Sequence, residues 1–277
     1  MPNIKLRYVV GGLLALLLSA FFLFPYWTAV ITATKPPLEI RTTNPLIPGS
    51  ELVFSYAKTA WSMVNGSYLT SLRIALTSMA ISIVIGSIGG YYLSKVRARY
   101  TFLTVITLSI GIYLPATMRL VPLVRVANTL NLFGVPEYIG LAIGGGQLPV
   151  VIFIFREFYN RVPDSLVEAA EISGASHWQI FTHIMFPMSK TAAVSAGIIG
   201  FTVGWNNLIL PLVLTSGGSG RPIMAQVDLM SRASAWEIGV WNLQLSGALF
   251  AMIPIVIIYV ILQEQIVKGW TEGAISG

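Results

Sequence analysis

The chain has 277 residues, 55% of them hydrophobic and 10% charged, with a formal net charge of +6 and a mean hydropathy of +0.75. A soluble domain carries about 25% charged residues, so this composition excludes a water-soluble globule and points to lipid as the solvent. The positive charges form no basic stripe, which argues against a nucleic-acid partner, and with no cysteine there are neither disulfides nor thiolate metal sites.

Lys5 and Arg7 precede an apolar run from Tyr8 to Ala33. A cleavable signal peptide has an apolar core of only about 7–15 residues, whereas a bilayer span takes about 20. The run is therefore expected to be a retained transmembrane helix that starts in the cytoplasm. The polar connection Lys35 to Ser67 contains four prolines. Within it, Leu52, Phe54, Ala57, Trp61 and Val64 recur at a loose helical spacing, fitting a short surface helix or an amphipathic linker over Glu51 to Val64.

Tyr68 to Ser94 and Thr101 to about Val126 read as the second and third spans. Lys95, Arg97 and Arg99 lie between them without an acid, which is the clearest cytoplasmic marker in the chain. Pro115 is expected to bend the third span. The fourth runs from Pro136 to Tyr159, with Gly144-Gly145-Gly146 near its middle. Close helix packing is the favoured reading of these glycines, and a loosened, pathway-lining segment the other. Thr191 to Thr215 is the fifth span, with Gly197, Gly200 and Gly204 at near-helical spacing and Pro211 late in it. Ser216 to Asn242 is polar, and Leu243 to Val267 is the sixth span. The fold class is thus an all-α membrane protein of six transmembrane helices. Residues 1–67 form an N-terminal helix with an outer loop and 68–277 a core of five helices. Both termini fall on the side with more positive charges.

Arg161 to Lys190 is the longest polar interval in the second half. Pro163 suits the first turn of a helix. Asp164, Glu168 and Glu171 then form an acidic stripe near its start, where the helix dipole favours negative charge. Leu166, Ala170 and Ser173, with Val167, Ala169 and Gly174 beside them, form a small-residue face. Gly174 is placed to end the helix in a left-handed conformation. Trp178, Phe181, Ile184 and Met185 predict a second, amphipathic helix that packs back on the membrane core, and Pro187 is expected to break it before span five.

No phosphate-binding glycine loop occurs, so the chain has no recognisable nucleotide site of its own. His177 and His183 are six apart, which is off the spacing of a helical zinc pair. No Ser/His/Asp set is evident. The chain reads as a non-enzyme with neither metal nor cofactor.

The ordered pattern Glu168-Ala169-Ala170, Gly174, Ile184, Pro187 resembles the EAA loop of ABC importer permeases, with Phe186 where that family commonly has Leu. Gly204-Trp205-Asn206-Asn207 and the tail Val267 to Gly277 are similar to segments of its carbohydrate branch, the shorter permease of maltose-type systems. The resemblance covers roughly Leu72 to the C-terminus. It implies a type I importer fold in which Glu168, Ala169, Ala170 and Gly174 belong to a coupling helix. That helix would dock on one of two cytoplasmic ATPase subunits, which hold the ATP and Mg. It also implies a second homologous permease, an extracytoplasmic solute-binding protein, and a place in a bacterial or archaeal plasma membrane.

Polar and aromatic side chains at membrane depth are candidates for the solute pathway: Arg119, Gln147, Trp205, Asn206, Asn207 and Gln244. Helix–helix hydrogen bonding is the plainer reading of the amides, and snorkelling to the outer surface that of Arg119. The stretch around Arg119 is also similar to a segment of glycerol-3-phosphate importer permeases. An anionic solute, such as glycerol-3-phosphate or a sulfonated sugar, is therefore the alternative to a neutral sugar. An ion-coupled secondary transporter is a remoter alternative, disfavoured because the spans hold almost no acids.

Overall fold

The computed structural model describes residues 2–96, 99–215, 220–233 and 240–275, without side chains at 2–7, 233, 240 and 264–275. The described residues are helical, with no strand among them. In a bilayer each backbone amide must be satisfied within its own segment, and the long apolar runs do this as helices. Among the described residues, four helices are long and apolar enough to cross a membrane: Tyr8–Thr34, Ser67–Lys95, Pro136–Asn160 and Trp241–Gln263. The number rises to six if two sharply bent helix pairs each count as one span.

Contacts divide the chain into two units. One comprises Met1–Gly66 and Gln226–Ile253, the other Ser67–Ala225 and Pro254–Gly277. In this grouping Ser67 opens the second unit, and Gln226–Ile253 goes with the N-terminal segment. In this first unit α1 is Pro2–Thr34, followed by α2 (Glu39–Thr42) and α3 (Ser55–Val64). Glu51 to Phe54, included in the expected surface helix, precede α3. The side chain of Asn242 ties the unit together, its Nδ2 donating to the carbonyls of Thr32 at 2.9 Å and Lys35 at 2.7 Å. Lys35 is itself buried, its Nζ donating to the Asn44 carbonyl at 2.8 Å.

The second unit is organised around α4 (Ser67–Lys95). Two glycine series let other helices approach it closely. Gly140 and Gly144 of α7 (Pro136–Asn160) lie against Ile74, Thr77 and Ser78, and Gly200 and Gly204 of α11 (Lys190–Asn206) lie against Ala75, Met79 and Ser82. Without a hydrophobic driving force between helices in lipid, such small-residue contacts supply the packing. Arg73 and Glu137 add a bidentate ion pair between α4 and α7, at 2.7 and 2.9 Å.

The expected third span is broken rather than bent. α5 (Thr101–Tyr113) ends at Leu114, which is extended as residues before proline tend to be. A 3₁₀ turn over Ala116–Arg119 and α6 (Leu120–Thr129) follow at 102°. Tyr138 of α7 holds α6 by donating to the Leu123 carbonyl at 2.6 Å.

Between α7 and α11 lie α8 (Asp164–Ile172), α9 (His177–Ile180), a π-turn over Phe181–Met185 and the short α10 (Phe186–Met188). Pro187 does not break this second helix, contrary to expectation. The helical run His177–Met188 continues past it, and the 80° bend falls two residues later, at Ser189. The fifth span also departs from the expected continuous Thr191 to Thr215. α11 stops at Asn206, and α12 (Ile209–Leu214) restarts after an extended Asn207. Pro211 has no N–H to offer the Asn207 carbonyl, and the Asn207 side chain instead accepts the Leu210 N–H at 3.2 Å.

The stretch expected to be only polar contains α13 (Ile223–Ala233), with Ile223, Val227 and Met230 buried at helical spacing. The last helix, α14 (Val240–Ile275), contains the expected sixth span. Arg97, the Gly217 to Ser219 stretch and the side chains of the Val267 to Gly277 tail lie outside the described residues.

Candidate functional site

Two parts of the second unit gather the candidate residues. The first is α8. Pro163, with φ −55° and ψ 135°, turns the chain into it. Lys95, at the end of α4, then pins its start: Nζ donates to Asp164 Oδ1 and to the Val162 carbonyl, each at 2.6 Å. The Lys95 side chain is 4% exposed and that of Asp164 68%. The lysine therefore points inward and is neutralised by an acid at the bundle's edge. Below this clamp, Val167 is buried with Tyr91, Tyr159, Ile180, Phe181 and Met185, and Ala170 packs against the same cluster.

The small face expected of α8 is therefore divided. Val167 and Ala170 face the bundle, whereas Glu168, Ala169, Glu171, Ile172, Ser173 and Gly174 are exposed. Ile172, at 88% exposure, is not among the residues expected on this face from the sequence. Its signal was available, because at 100° per residue it falls opposite Val167 and stands as an apolar side chain on the polar face.

The helix ends in a Schellman motif. The Gly174 N–H donates to the Glu171 carbonyl at 2.9 Å and the Ala175 N–H to the Ala170 carbonyl at 3.0 Å. Gly174 has φ +84°, and no heavy atom lies within 4 Å of where its Cβ would stand. The requirement for glycine is thus conformational and not steric. Ser176 caps α9 in a reciprocal box with Gln179. His177 Nδ1 comes within 3.6 Å of Glu171 and 3.4 Å of the Tyr91 hydroxyl. Glu171 and His177, with Ser94, Lys95, Asp164 and Glu168, border a polar recess of about 350 Å³. Phe181 packs inward as expected of the second amphipathic helix, but Trp178 is 63% exposed. Ser189, at the bend below, is buried and receives the Tyr159 hydroxyl at 3.1 Å.

The second part is a cavity of about 410 Å³. Arg119, Gln147, Asn206 and Asn207 line it together with apolar side chains of α6, α7 and α12. The broken spans bring them together: the turn after Pro115 carries Arg119, and the gap between α11 and α12 presents Asn206 and Asn207. The three consecutive glycines of α7 differ in role. Gly144 packs on Ser78, Gly145 meets nothing within 4 Å, and a methyl at Gly146 would overlap the Arg119 guanidinium. Trp205, the remaining candidate in this unit, is buried elsewhere, stacked on Phe201 and tilted against Tyr68. Gln244 belongs to the other unit, half-buried on α14. Among the described residues, no group of three or more His, Cys, Asp or Glu side chains is placed to hold a metal.

This architecture of broken spans and a clamped polar helix has counterparts among known proteins. Residues 82–272 match the family described as binding-protein-dependent transport system inner membrane component, and the chain belongs to that family. It is a permease subunit of an ABC transporter, not an enzyme. Over its whole length, and 98% of the relative's, it is 32% identical to a probable ABC transporter permease protein of Pyrococcus horikoshii. It is 29% identical to the sn-glycerol-3-phosphate transport system permease protein UgpE of Escherichia coli O1:K1, over 91% of this chain and 92% of that one. It is 28% identical to the xylose/arabinose import permease protein XacI of Haloferax volcanii, over 96% and 93%. The fold is also that of a chain in the crystal structure of a bacterial ABC transporter involved in the import of the acidic polysaccharide alginate. That match has a TM-score of 0.74 at 18% identity and covers 95% of this chain and 98% of the other.

Proposed function

We propose that this chain forms, with a second homologous permease, the translocation pathway of an importer for a sugar or sugar-like solute, and that α8 is its coupling helix. A solute-binding protein outside delivers the solute, and two ATPase subunits on the cytoplasmic side supply the energy. The observation that carries this reading is the two-sided seating of α8. Its inner face is fixed by the Lys95–Asp164 ion pair and by Val167, while Glu168, Ala169, Ile172 and Gly174 face outward. A helix held this way transmits a displacement to α4 through Lys95 and to α7 and α11 through the cluster containing Tyr159 and Ala192. Relatives that import xylose and arabinose or sn-glycerol-3-phosphate support a small polyhydroxylated solute.

Co-purification of the assembled complex tests the reading. An ATPase chain is expected to come down with this permease, and its association is expected to weaken when Ile172 is replaced by Glu. Recovery of the same amount of ATPase with Ile172→Glu, or ATP-independent solute uptake by this chain alone, would count against it.

A further inference from the structure

We infer that the cavity beside Gly146 binds the anionic group of the solute, so that the transported molecule is a small polyol or sugar bearing a phosphate, sulfonate or carboxylate. This rests on the importer reading above and narrows its solute class.

The first argument is depth. Arg119 lies against Gly146, the eleventh of the 25 residues of α7. At ~1.5 Å per residue the contact is about 15 Å from the Pro136 end, roughly half the ~30 Å thickness of a hydrocarbon core. A guanidinium at that level has not snorkelled to the outer surface. The second is pairing. No ion pair joins Arg119 to a carboxylate among the described residues. An unpaired cation at mid-membrane is costly, so the site is built to receive an anion or to meet water.

The third argument is fit. Gly146 leaves room where any side chain would displace the guanidinium, whose planar fork matches phosphate and carboxylate oxygens in bidentate geometry. Gln147, Asn206 and Asn207 line the same cavity. Their amides offer both donors and acceptors, the complement of sugar hydroxyls. A volume of about 410 Å³ lies within the range of small-molecule sites and suits a solute of one sugar unit.

The test uses the complete importer, with its own binding protein, in proteoliposomes. Uptake of sn-glycerol 3-phosphate and galacturonate is compared with that of glycerol and galactose. One anionic probe is expected to be carried faster than its neutral counterpart. Arg119→Gln is expected to cut that uptake about tenfold or more, the scale of one charge-assisted pair. Arg119→Lys is expected to retain part of it through a higher KM. Gly146→Ala keeps the charge but displaces it, and should lower uptake of the anionic probe in the same direction. Assembly of each variant is checked by co-purification. Several outcomes would overturn the inference. These are faster uptake of the neutral members, failure of both anions to be carried, and unchanged anion uptake in Arg119→Gln. Equal loss for neutral and anionic probes would also do so, by assigning Arg119 to a lipid phosphate or a carboxylate of the second permease. ATP-driven uptake that is faster for the neutral probes would sink this inference and leave the importer reading standing. Uptake that does not depend on ATP would sink the importer reading itself.

Discussion

Gly174 offers the sharpest test of how α8 works, because its constraint is conformational alone. With φ +84° and no heavy atom within 4 Å of a built Cβ, a substitution there meets strain but no collision. A Cβ in the left-handed region costs about 1–2 kcal/mol, with Asn and Asp penalised less than other residues. Set against the two hydrogen bonds of the terminal turn, that cost would shift its closed population by roughly 5- to 30-fold. ATP-driven uptake by the assembled complex, normalised to membrane-inserted protein, is therefore expected to fall in the order Gly174→Asn, Gly174→Ala, Gly174→Val. Gly174→Asp separates strain from charge. It tolerates the same backbone as Asn but adds a negative charge at the C-terminus of a helix that already carries Asp164, Glu168 and Glu171, where the dipole disfavours it. Uptake is expected to be abolished by Asp and largely kept by Asn, with insertion intact in both. Wild-type uptake in well-expressed Gly174→Asp would refute the coupling role, and wild-type uptake in Gly174→Val would refute the strain argument.

Other outcomes follow from the same contacts. Lys95→Met removes the cation that holds Asp164 and the Val162 carbonyl; it should cost about 1.5–3 kcal/mol of local stability and expose α8 to hydrogen exchange, and unchanged exchange in 164–172 would contradict the clamp. Tyr159→Phe leaves Ser189 without its hydroxyl donor at the bend and should lower the thermal midpoint by an amount equivalent to about 0.5–1.5 kcal/mol, read by thermal unfolding of the detergent-solubilised complex; an unchanged midpoint would contradict it. In the N-terminal unit, hydrogen bonds from the Ser50 hydroxyl and backbone N–H hold the Glu39 carboxyl below its ordinary pKa of 4.5. Its contribution is present above the ordinary value and lost as pH falls through the depressed one. Ser50→Ala should move the Glu39 titration upward in an NMR experiment on labelled protein, and an unmoved titration would remove the hydroxyl as the cause.

Much of the frame was legible in the chain, because lipid leaves few options for long apolar runs. Tyr8 to Ala33 and Pro136 to Tyr159 became helices within one or two residues of their apolar limits at nearly every end. The exception is the start of α1, which reaches back to Pro2. Ile223, Val227 and Met230 also carried a readable helical period that their polar surroundings masked. Pro115 announced a disruption, but its size depended on Leu114 becoming extended and on α6 finding Tyr138. The break at Asn207 needed a side chain to replace a backbone bond, and hydropathy carries no trace of that.

The polar helix after Pro163, its acidic stripe and its glycine stop followed from local chemistry: a ring without an N–H, a dipole and a left-handed φ. Which of its faces looks inward did not, since Val167 and Ala170 turn to the bundle only because Lys95 and the Tyr91–Tyr159 cluster lie there. The same division holds for the cavity. Composition marked Arg119, Gln147, Trp205, Asn206 and Asn207 as out of place in lipid. Tertiary packing gathered four of them around one space and buried Trp205 against Phe201 and Tyr68. The physical reason is that helical period and chain chemistry act over a few residues, whereas the direction of a side chain across a membrane is decided by which helix stands next to it.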